Sequence, residues 1–253
     1  MIHPSGSYAR KQIYCPSRLV AWSHRGRFRL AAALVAPAHG GRLLDYGCGD
    51  GTFIGLVHER FSECVGVDND RPQLADCRAR MAALDHVRFV PVDALDAGDS
   101  GSFDAVTCME VLEHCVDTVR LEVVAALRRL VAPNGRVVVS VPIEIGPALV
   151  AKQIARRIAA WRNLGDYRHA ERYTLGELAR MTAVPGRASI ARVTYEAGDG
   201  PARRRYHGHK GFDWRVVERD LASHFVVTER RFSPMPWLGG WLNSQAWMVC
   251  SPR

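Results

Sequence analysis

The stretch Leu43-Leu44-Asp45-Tyr46-Gly47-Cys48-Gly49-Asp50-Gly51-Thr52-Phe53 constrains this chain more than any other. Apolar residues run into three glycines at alternate positions, and a segment of helical character follows. That order reads as a buried strand, a tight turn and the start of a helix. Glycine accepts positive φ and carries no Cβ, so a ligand can lie against the backbone. A helix start offers unpaired N–H groups to a polar ligand. The spacing is G-x-G-x-G, neither the G-x-G-x-x-G of dinucleotide sites nor the G-x-x-x-x-G-K of phosphate loops, and no lysine follows. Such a loop suits a nucleoside-like ligand without a phosphate chain.

The rest of the chain is arranged around that turn. Apolar positions from about Ser17 to Ala36 fit one or two helices after an irregular, polar start, and His39-Gly40-Gly41 ends them. Strands are expected at Arg42–Tyr46, Glu63–Asp68, Val87–Val92, Phe103–Cys108 and Arg136–Val141, with helices between them. Pro72 suits a first helical turn. Ala132-Pro133-Asn134-Gly135 is a strong turn signal before the fifth strand. Helices follow at Ala148–Trp161, Thr174–Met181 and Trp214–Phe225, with a strand around Ile190–Tyr195 and two more at Val226–Phe232 and Ala246–Cys250. Alternation of this kind predicts a Rossmann-like, doubly wound seven-stranded α/β sheet. It divides one domain, 1–253, into a helical cap (1–40), a core (41–145), a helical insertion after strand five (146–211) and a C-terminal part (212–253). Ligands of such sheets bind beyond the C-terminal strand ends, which here carry Gly47–Gly51, Asp68, Asp93 and Glu110.

Composition narrows the class. With 47% hydrophobic and 24% charged residues, the chain is ordinary for a soluble domain. It contains no apolar run long enough to span a bilayer, and its first thirty residues lack the apolar core of a secretory signal. Seven cysteines, none in C-x-x-C, argue against a disulfide framework or a thiolate zinc site and fit reduced thiols in a cytoplasmic protein. The net charge of +8 permits an anionic partner. Arginine-rich genome composition accounts for it equally well.

The ordered set Asp45-x-Gly47-x-Gly49-x-Gly51, Asp68, Asp93, Phe103-Asp104, Glu110-Val111-Leu112-Glu113-His114 and Pro133-Asn134-Gly135 resembles the class I S-adenosylmethionine-dependent methyltransferases. The likeness covers roughly 40–145. It implies S-adenosylmethionine as cofactor. Gly47, Cys48, Gly49 and Gly51 would lie against its methionine portion, and Asp45 would orient its ammonium. Asp68 would accept from the ribose hydroxyls, with Asn69 flanking the adenine. Asp93 and the Ala94 N–H would meet the adenine, and Glu110 would touch the cofactor through its backbone. A simpler account makes Asp68 and Asp93 caps of turns.

Glu110, Glu113 and His114 share one face of a helical turn. A histidine at the methyl-donor site can act as a general base, and with two carboxylates it can hold a divalent cation. E-V-L-E-H resembles the ubiquinone-biosynthesis O-methyltransferases. E-x-x-E-H is also similar to the metal site of small-RNA 3′-terminal 2′-O-methyltransferases, which implies Mg or Mn held by Glu110, Glu113, His114 and His209. Gly208-His209-Lys210-Gly211-Phe212-Asp213-Trp214 departs from that pattern by one glycine, which shifts the following helix. The plainer alternative is a scaffold element in which His114 packs beneath the cofactor.

The acceptor side falls to Tyr8, Tyr14 and Trp22 of the cap and to Glu144, Trp161, Tyr167, His169 and Tyr173 of the insertion. Arg168-His169-Ala170-Glu171-Arg172-Tyr173-Thr174 resembles a segment of small-molecule methyltransferases, which makes His169 a second candidate base. The basic helix at 148–162 suits either a solvated cap or a membrane surface. Arg203–Arg205 read as a flexible, solvated loop or as phosphate contacts. The aromatic loop 233–245 suits a pocket wall or a dimer contact. The expected activity is methylation of a hydroxyl on a small molecule, lipid or sugar. The rivals are an RNA 2′-O-methyltransferase and a cofactor-binding regulatory subunit.

Overall fold

The computed structural model describes residues 6–14, 18–161, 171–183, 190–197 and 204–253. Its centre is a seven-stranded sheet in the order β3-β2-β1-β4-β5-β9-β8. The first five strands are β1 (Arg42–Tyr46), β2 (Glu63–Asp68), β3 (Val87–Pro91), β4 (Phe103–Met109) and β5 (Val131–Pro142), all parallel. β9 (Gln245–Pro252) inserts antiparallel between β5 and β8 (Phe225–Ser233). Central strands read as near-continuous apolar runs because helices cover both faces. One apolar layer gathers Leu44, Val65, Val106, Val137 and Leu127, and the other Leu43, Cys64, Ala105, Val138 and Trp247. Alternation along each strand sends neighbours to opposite layers.

The covering helices are α1 (Arg18–Val35), α2 (Thr52–Val57), α3 (Arg71–Arg80), α4 (Asp117–Leu130), α5 (Gly146–Trp161), α6 (Leu175–Ala183) and α7 (Trp214–His224). Several starts follow from local chemistry. Asp70 accepts from the Gln73 N–H at the start of α3, and Asp213 accepts from Arg215 N–H at the start of α7. Thr174 and Glu177 each bond the other's backbone N–H before α6, a reciprocal cap.

Three expectations change. The start of the chain is not wholly irregular: Ala9–Ile13 form one wide helical turn with Ala9 and Ile13 buried. The Ala132–Gly135 turn lies inside β5 as an irregularity: Phe103 pairs with Val131 and Ala105 with Arg136, so the intervening residues loop out. Gly135 is required there, since a Cβ would lie 2.8 Å from the Phe103 carbonyl oxygen. Arg204 and Arg205 sit not in a loop but on a strand, β7 (Arg204–His207), paired antiparallel with β6 (Thr194–Ala197). Tyr206 bridges to Cys115, which joins this hairpin to the C-terminal edge of the sheet.

Candidate active site

A cavity of about 1140 Å³ opens at the C-terminal ends of β1, β2 and β4. Its donor side is the glycine turn. Gly47, Gly49 and Gly51 all take positive φ, at +79°, +54° and +71°. A Cβ on Gly47 would drive into Val111, and one on Gly51 would stand 3.0 Å from the Phe89 ring. The turn is pinned by the Gly47 and Cys48 N–H groups, which donate to the Val67 carbonyl at 2.8 and 2.9 Å. The Gly49 N–H donates to Asp68 Oδ2 at 2.9 Å, while Asp68 Oδ1 accepts from Asn69 and Asp70 N–H. An ionised carboxylate has about four acceptor positions, so Asp68 retains capacity for a hydroxyl ligand.

The helix start after the turn differs from expectation. α2 spans only Thr52–Val57, and Asp50 Oδ1 already accepts from the Thr52 N–H and hydroxyl. The polar contacts on this side therefore come from the turn and the acids. Asp45 is buried and accepts from Thr107 Oγ1 at 2.7 Å. Burial pushes its carboxyl up to about 7, against the Thr107 hydrogen bond, which favours the ionised form; the Asp68 charge adds to the rise. A cation beside Asp45 relieves that cost. The glycine cradle with Asp45 and Asp68 thus fits the sulfonium, ammonium and ribose of S-adenosylmethionine.

Asp93 and Ala94 stand apart from this group. They lie on an exposed one-turn helix after β3, Asp93 accepts from Arg71 at 2.9 Å, and the cavity wall there is Val92. Asn69 lines the cavity.

The wall beside the turn continues at Glu110, the one non-glycine residue with positive φ (+57°) among the described residues. That strain re-aims the chain at the end of β4. Its carboxylate is engaged by Arg27 of α1 at 3.2 Å and by the Ser140 hydroxyl at 3.4 Å. Arg27 also donates to the Tyr8 hydroxyl, and the Tyr8 N–H donates to Asp50. The chain start is thereby clasped across the cavity.

Beyond Glu110, the structure brings Glu113, His114 and His209 together, with one ligand atom from each within 4.8 Å of the others. Glu110 is not part of this group. Glu113 is fully buried, and neither of its carboxylate oxygens has a hydrogen-bond partner. His209 Nδ1 is also buried without one. Burial pushes the Glu113 carboxyl well up, the Glu110 charge adding to it, and burial lowers the His209 imidazole to about 4. His114 Nδ1 lies 2.9 Å from the His207 carbonyl, which can only accept, so Nδ1 carries the proton. The His114 Nε2 lone pair then faces Glu113 Oε1 at 3.8 Å. A carboxyl group and two imidazoles whose ligand atoms converge, with Glu113 and His209 Nδ1 lacking hydrogen-bond partners, fit a divalent cation.

Arg192 makes this meeting possible. One of its nitrogens donates to both the Glu113 and Gly208 carbonyls, and its guanidinium lies over Phe212. It staples two segments far apart in the chain. The additional Gly211 does not displace His209. With φ +78° it turns the chain between His209 and the α7 cap, where a Cβ would meet Ile190 at 2.9 Å. Glu171 accepts from the Lys210 N–H, and Tyr173 from the Gly211 N–H. No sequence pattern singled out Arg192, Arg27, Thr107 or Ser140. His169 and Tyr167 lie outside the described residues. Glu144 is buried behind the wall, held by Lys152 and Arg156 of α5. Trp237 and Trp241 of the aromatic loop are exposed and do not line the cavity.

The sequence matches a family model described as "Methyltransferase domain" over residues 22–183. The chain belongs to this methyltransferase family. Among curated relatives, the ubiquinone biosynthesis O-methyltransferase of Psychrobacter arcticus is 32% identical over 179 residues, covering 66% of this chain and 66% of its own length. That of Ralstonia nicotianae is 39% identical over 107 residues, covering 41% and 44%. The chain spans 66%, 57% and 47% of the length of the first three such relatives. Among solved structures, a Pyrococcus horikoshii protein, PH0226, superposes with a TM-score of 0.62 at 16% identity, over 98% of this chain and 97% of its own. A Burkholderia thailandensis N-methyltransferase crystallised with 1,6-didemethyltoxoflavin and S-adenosylhomocysteine gives 0.53 at 21% identity, over 92% and 85%. Both are likenesses of fold. By family the chain carries a methyltransferase domain, and it has the fold of these solved structures.

Proposed function

We propose that the protein transfers a methyl group from S-adenosylmethionine to a hydroxyl of a small-molecule acceptor. The observation that carries this reading is the convergence of Glu113, His114 and His209, of which His114 lines the same cavity as the glycine turn. The names of the ubiquinone biosynthesis relatives support oxygen as the acceptor atom. S-adenosylmethionine supplies a methyl on a sulfonium whose leaving group is neutral, so no general acid is required. The chain's own work is alignment and removal of the hydroxyl proton. Asp45 and Asp68 hold the donor's ammonium and ribose, and the strained Glu110 sets the wall against which the acceptor lies. His114 Nε2, with its tautomer fixed by the His207 carbonyl, takes the acceptor proton in the metal-free form of the site.

In the same reading, Glu113, His114 and His209 would hold a divalent cation, which would supply Lewis-acid activation of the acceptor hydroxyl. The buried, unpartnered atoms of Glu113 and His209 support this assignment. Two measurements test the proposal. Calorimetry should detect S-adenosylhomocysteine binding, and its absence would end the donor assignment. Mn²⁺ titration followed by electron paramagnetic resonance should show one site that is lost in Glu113→Gln and in His209→Ala. An unchanged titration would remove the metal and leave His114 as base.

A further inference from the structure

The cavity is divided by charge. Its donor side carries Asp45, Asp50 and Asp68, and the fourth acid on its wall, Glu110, is ion-paired with Arg27. The remaining mouth is lined by Lys11 from the chain start and by Arg204 and Arg205 from β7, with Tyr206 between the arginines and Cys115. Neither these arginines nor Lys11 make an ion pair with any described residue. Arg205 faces Glu196 across the hairpin by register, and Arg204 faces Ala197, yet no salt bridge joins Arg205 to Glu196. Lys11, Arg204 and Arg205 line one cavity without an ion-pair partner among the described residues, and a bound anion would offset their like charge.

The mouth is also fixed relative to the reacting centre. The His207 N–H donates to the His114 carbonyl at 2.8 Å, and His114 Nδ1 donates back to the His207 carbonyl. Arg205 stands two residues before His207. A strand advances about 3.3 Å per residue, so the Arg205 and Arg204 backbones lie about 7 and 10 Å along the strand from His207, whose carbonyl meets His114. That scale suits an acidic substituent on a molecule of one or two rings. Guanidinium groups present paired donors to carboxylate or phosphate oxygens.

We propose that Lys11, Arg204 and Arg205 form an oxyanion subsite, and that the natural acceptor is a small hydroxylated molecule bearing a carboxylate or a phosphate. This inference rests on the methyltransferase reading of the cavity. Tyr8 and Tyr206 line the same cavity as the subsite and His114.

The test is equilibrium binding to the full chain saturated with S-adenosylhomocysteine. Resorcinol, 3-hydroxybenzoate and 3-hydroxyphenyl phosphate share one body and differ in the second group. At least one of the two anions should bind about tenfold tighter than resorcinol, the gain of one charge-assisted hydrogen-bonded contact. Which anion gains more separates a carboxylate acceptor from a phosphate one. In Arg204→Gln/Arg205→Gln the preference should vanish while S-adenosylhomocysteine affinity stays unchanged; Lys11→Gln should reduce it in part. Equal affinities for the three compounds, no binding of any of them, or a preference that survives the double substitution would overturn the subsite. Capture of a short RNA oligonucleotide, without binding of either small anion, would overturn it in favour of a polymeric acceptor. Failure of S-adenosylhomocysteine itself to bind would instead strike the donor assignment, so the two failures are distinguishable.

Discussion

The two sides of the cavity are built in different ways. The donor side is local: Asp45, the glycine turn and Asp68 belong to two adjacent parallel strands and the loops that leave them, joined largely by backbone hydrogen bonds. The acceptor side is assembled from four remote pieces: the chain start, α1, the turn after β4 and the β6–β7 hairpin. These pieces are joined by Arg27, Arg192 and the His114–His207 exchange. A surface held by neighbouring strands keeps its shape through the sheet. A surface held by a few long side chains depends on each of them. Substitutions on the two sides should therefore fail differently.

The largest effect is expected beneath the acceptor side. Glu144 is fully buried and accepts from Lys152 at 3.0 Å and Arg156 at 2.8 Å, which ties α5 to the end of β5. Glu144→Ala removes the buried carboxylate that Lys152 and Arg156 share. Removal of one partner of such a buried pair costs about 3–5 kcal/mol. Urea unfolding should report that loss, and Glu144→Leu should behave as badly. A loss below about 1 kcal/mol would show that this support is not needed.

Asp68→Ala comes next, and its effect falls on the donor. It removes both expected ribose contacts and leaves the Gly49 N–H without its partner. Two hydrogen bonds to a charged group amount to roughly 3–6 kcal/mol, so S-adenosylhomocysteine affinity should fall at least about a hundredfold. Anion binding at the mouth in the apo protein should be untouched. If both ligands weaken together, the two sides are not separable.

A glycine pair measures how rigid the donor side is. Gly40 and Gly47 have similar φ, +83° and +79°, but a Cβ on Gly40 meets nothing within 4 Å, whereas one on Gly47 strikes the stiff branched side chain of Val111. Gly40→Ala should cost about 1–2 kcal/mol from the left-handed backbone alone. Gly47→Ala should cost about 1–3 kcal/mol more from overpacking. Equal thermal shifts would mean that Val111 yields and that the turn is softer than its hydrogen bonds imply.

The same contrast explains what was legible in the sequence. Five parallel strands and the turn after β1 follow from apolar runs closed by glycine, an acid or, at Pro142, proline, because each such signal lies within a few residues. Even the departures on that side are small, such as the Asp50 carboxylate filling the start of α2 or the bulge at Gly135. On the acceptor side, Glu113 and His114 stand out by helical spacing, and His209 only through a motif likeness. What unites them is Arg192 and the Gly211 turn, whose partners are remote in the chain. Arg27 reads as one more cation on a polar helix face until Glu110 is seen opposite it. The arginines of β7 look like a solvated run because both strands of the hairpin are four residues long and largely exposed, so no apolar alternation marks them.

The smallest effect, and the finest probe of the donor side, is a proton. Burial holds the Asp45 carboxyl at about 7, above its usual value near 4. In the empty cavity at neutral pH, Asp45 is therefore only partly ionised. In the proposed site the donor's ammonium pairs with the ionised carboxylate, so binding must expel the proton below that midpoint and is weakened there. Affinity for S-adenosylhomocysteine should rise with pH, by about tenfold between pH 6 and pH 8, and level off above. Calorimetry in buffers of different ionisation enthalpy should detect proton release near pH 6. Thr107 sets the sign of a second check, because its hydroxyl donates to the ionised carboxylate. Thr107→Val removes that bond and should move the midpoint to higher pH with little change in the plateau affinity. A flat pH profile, or a midpoint that moves downward in Thr107→Val, would mean that the donor does not use Asp45 as a carboxylate.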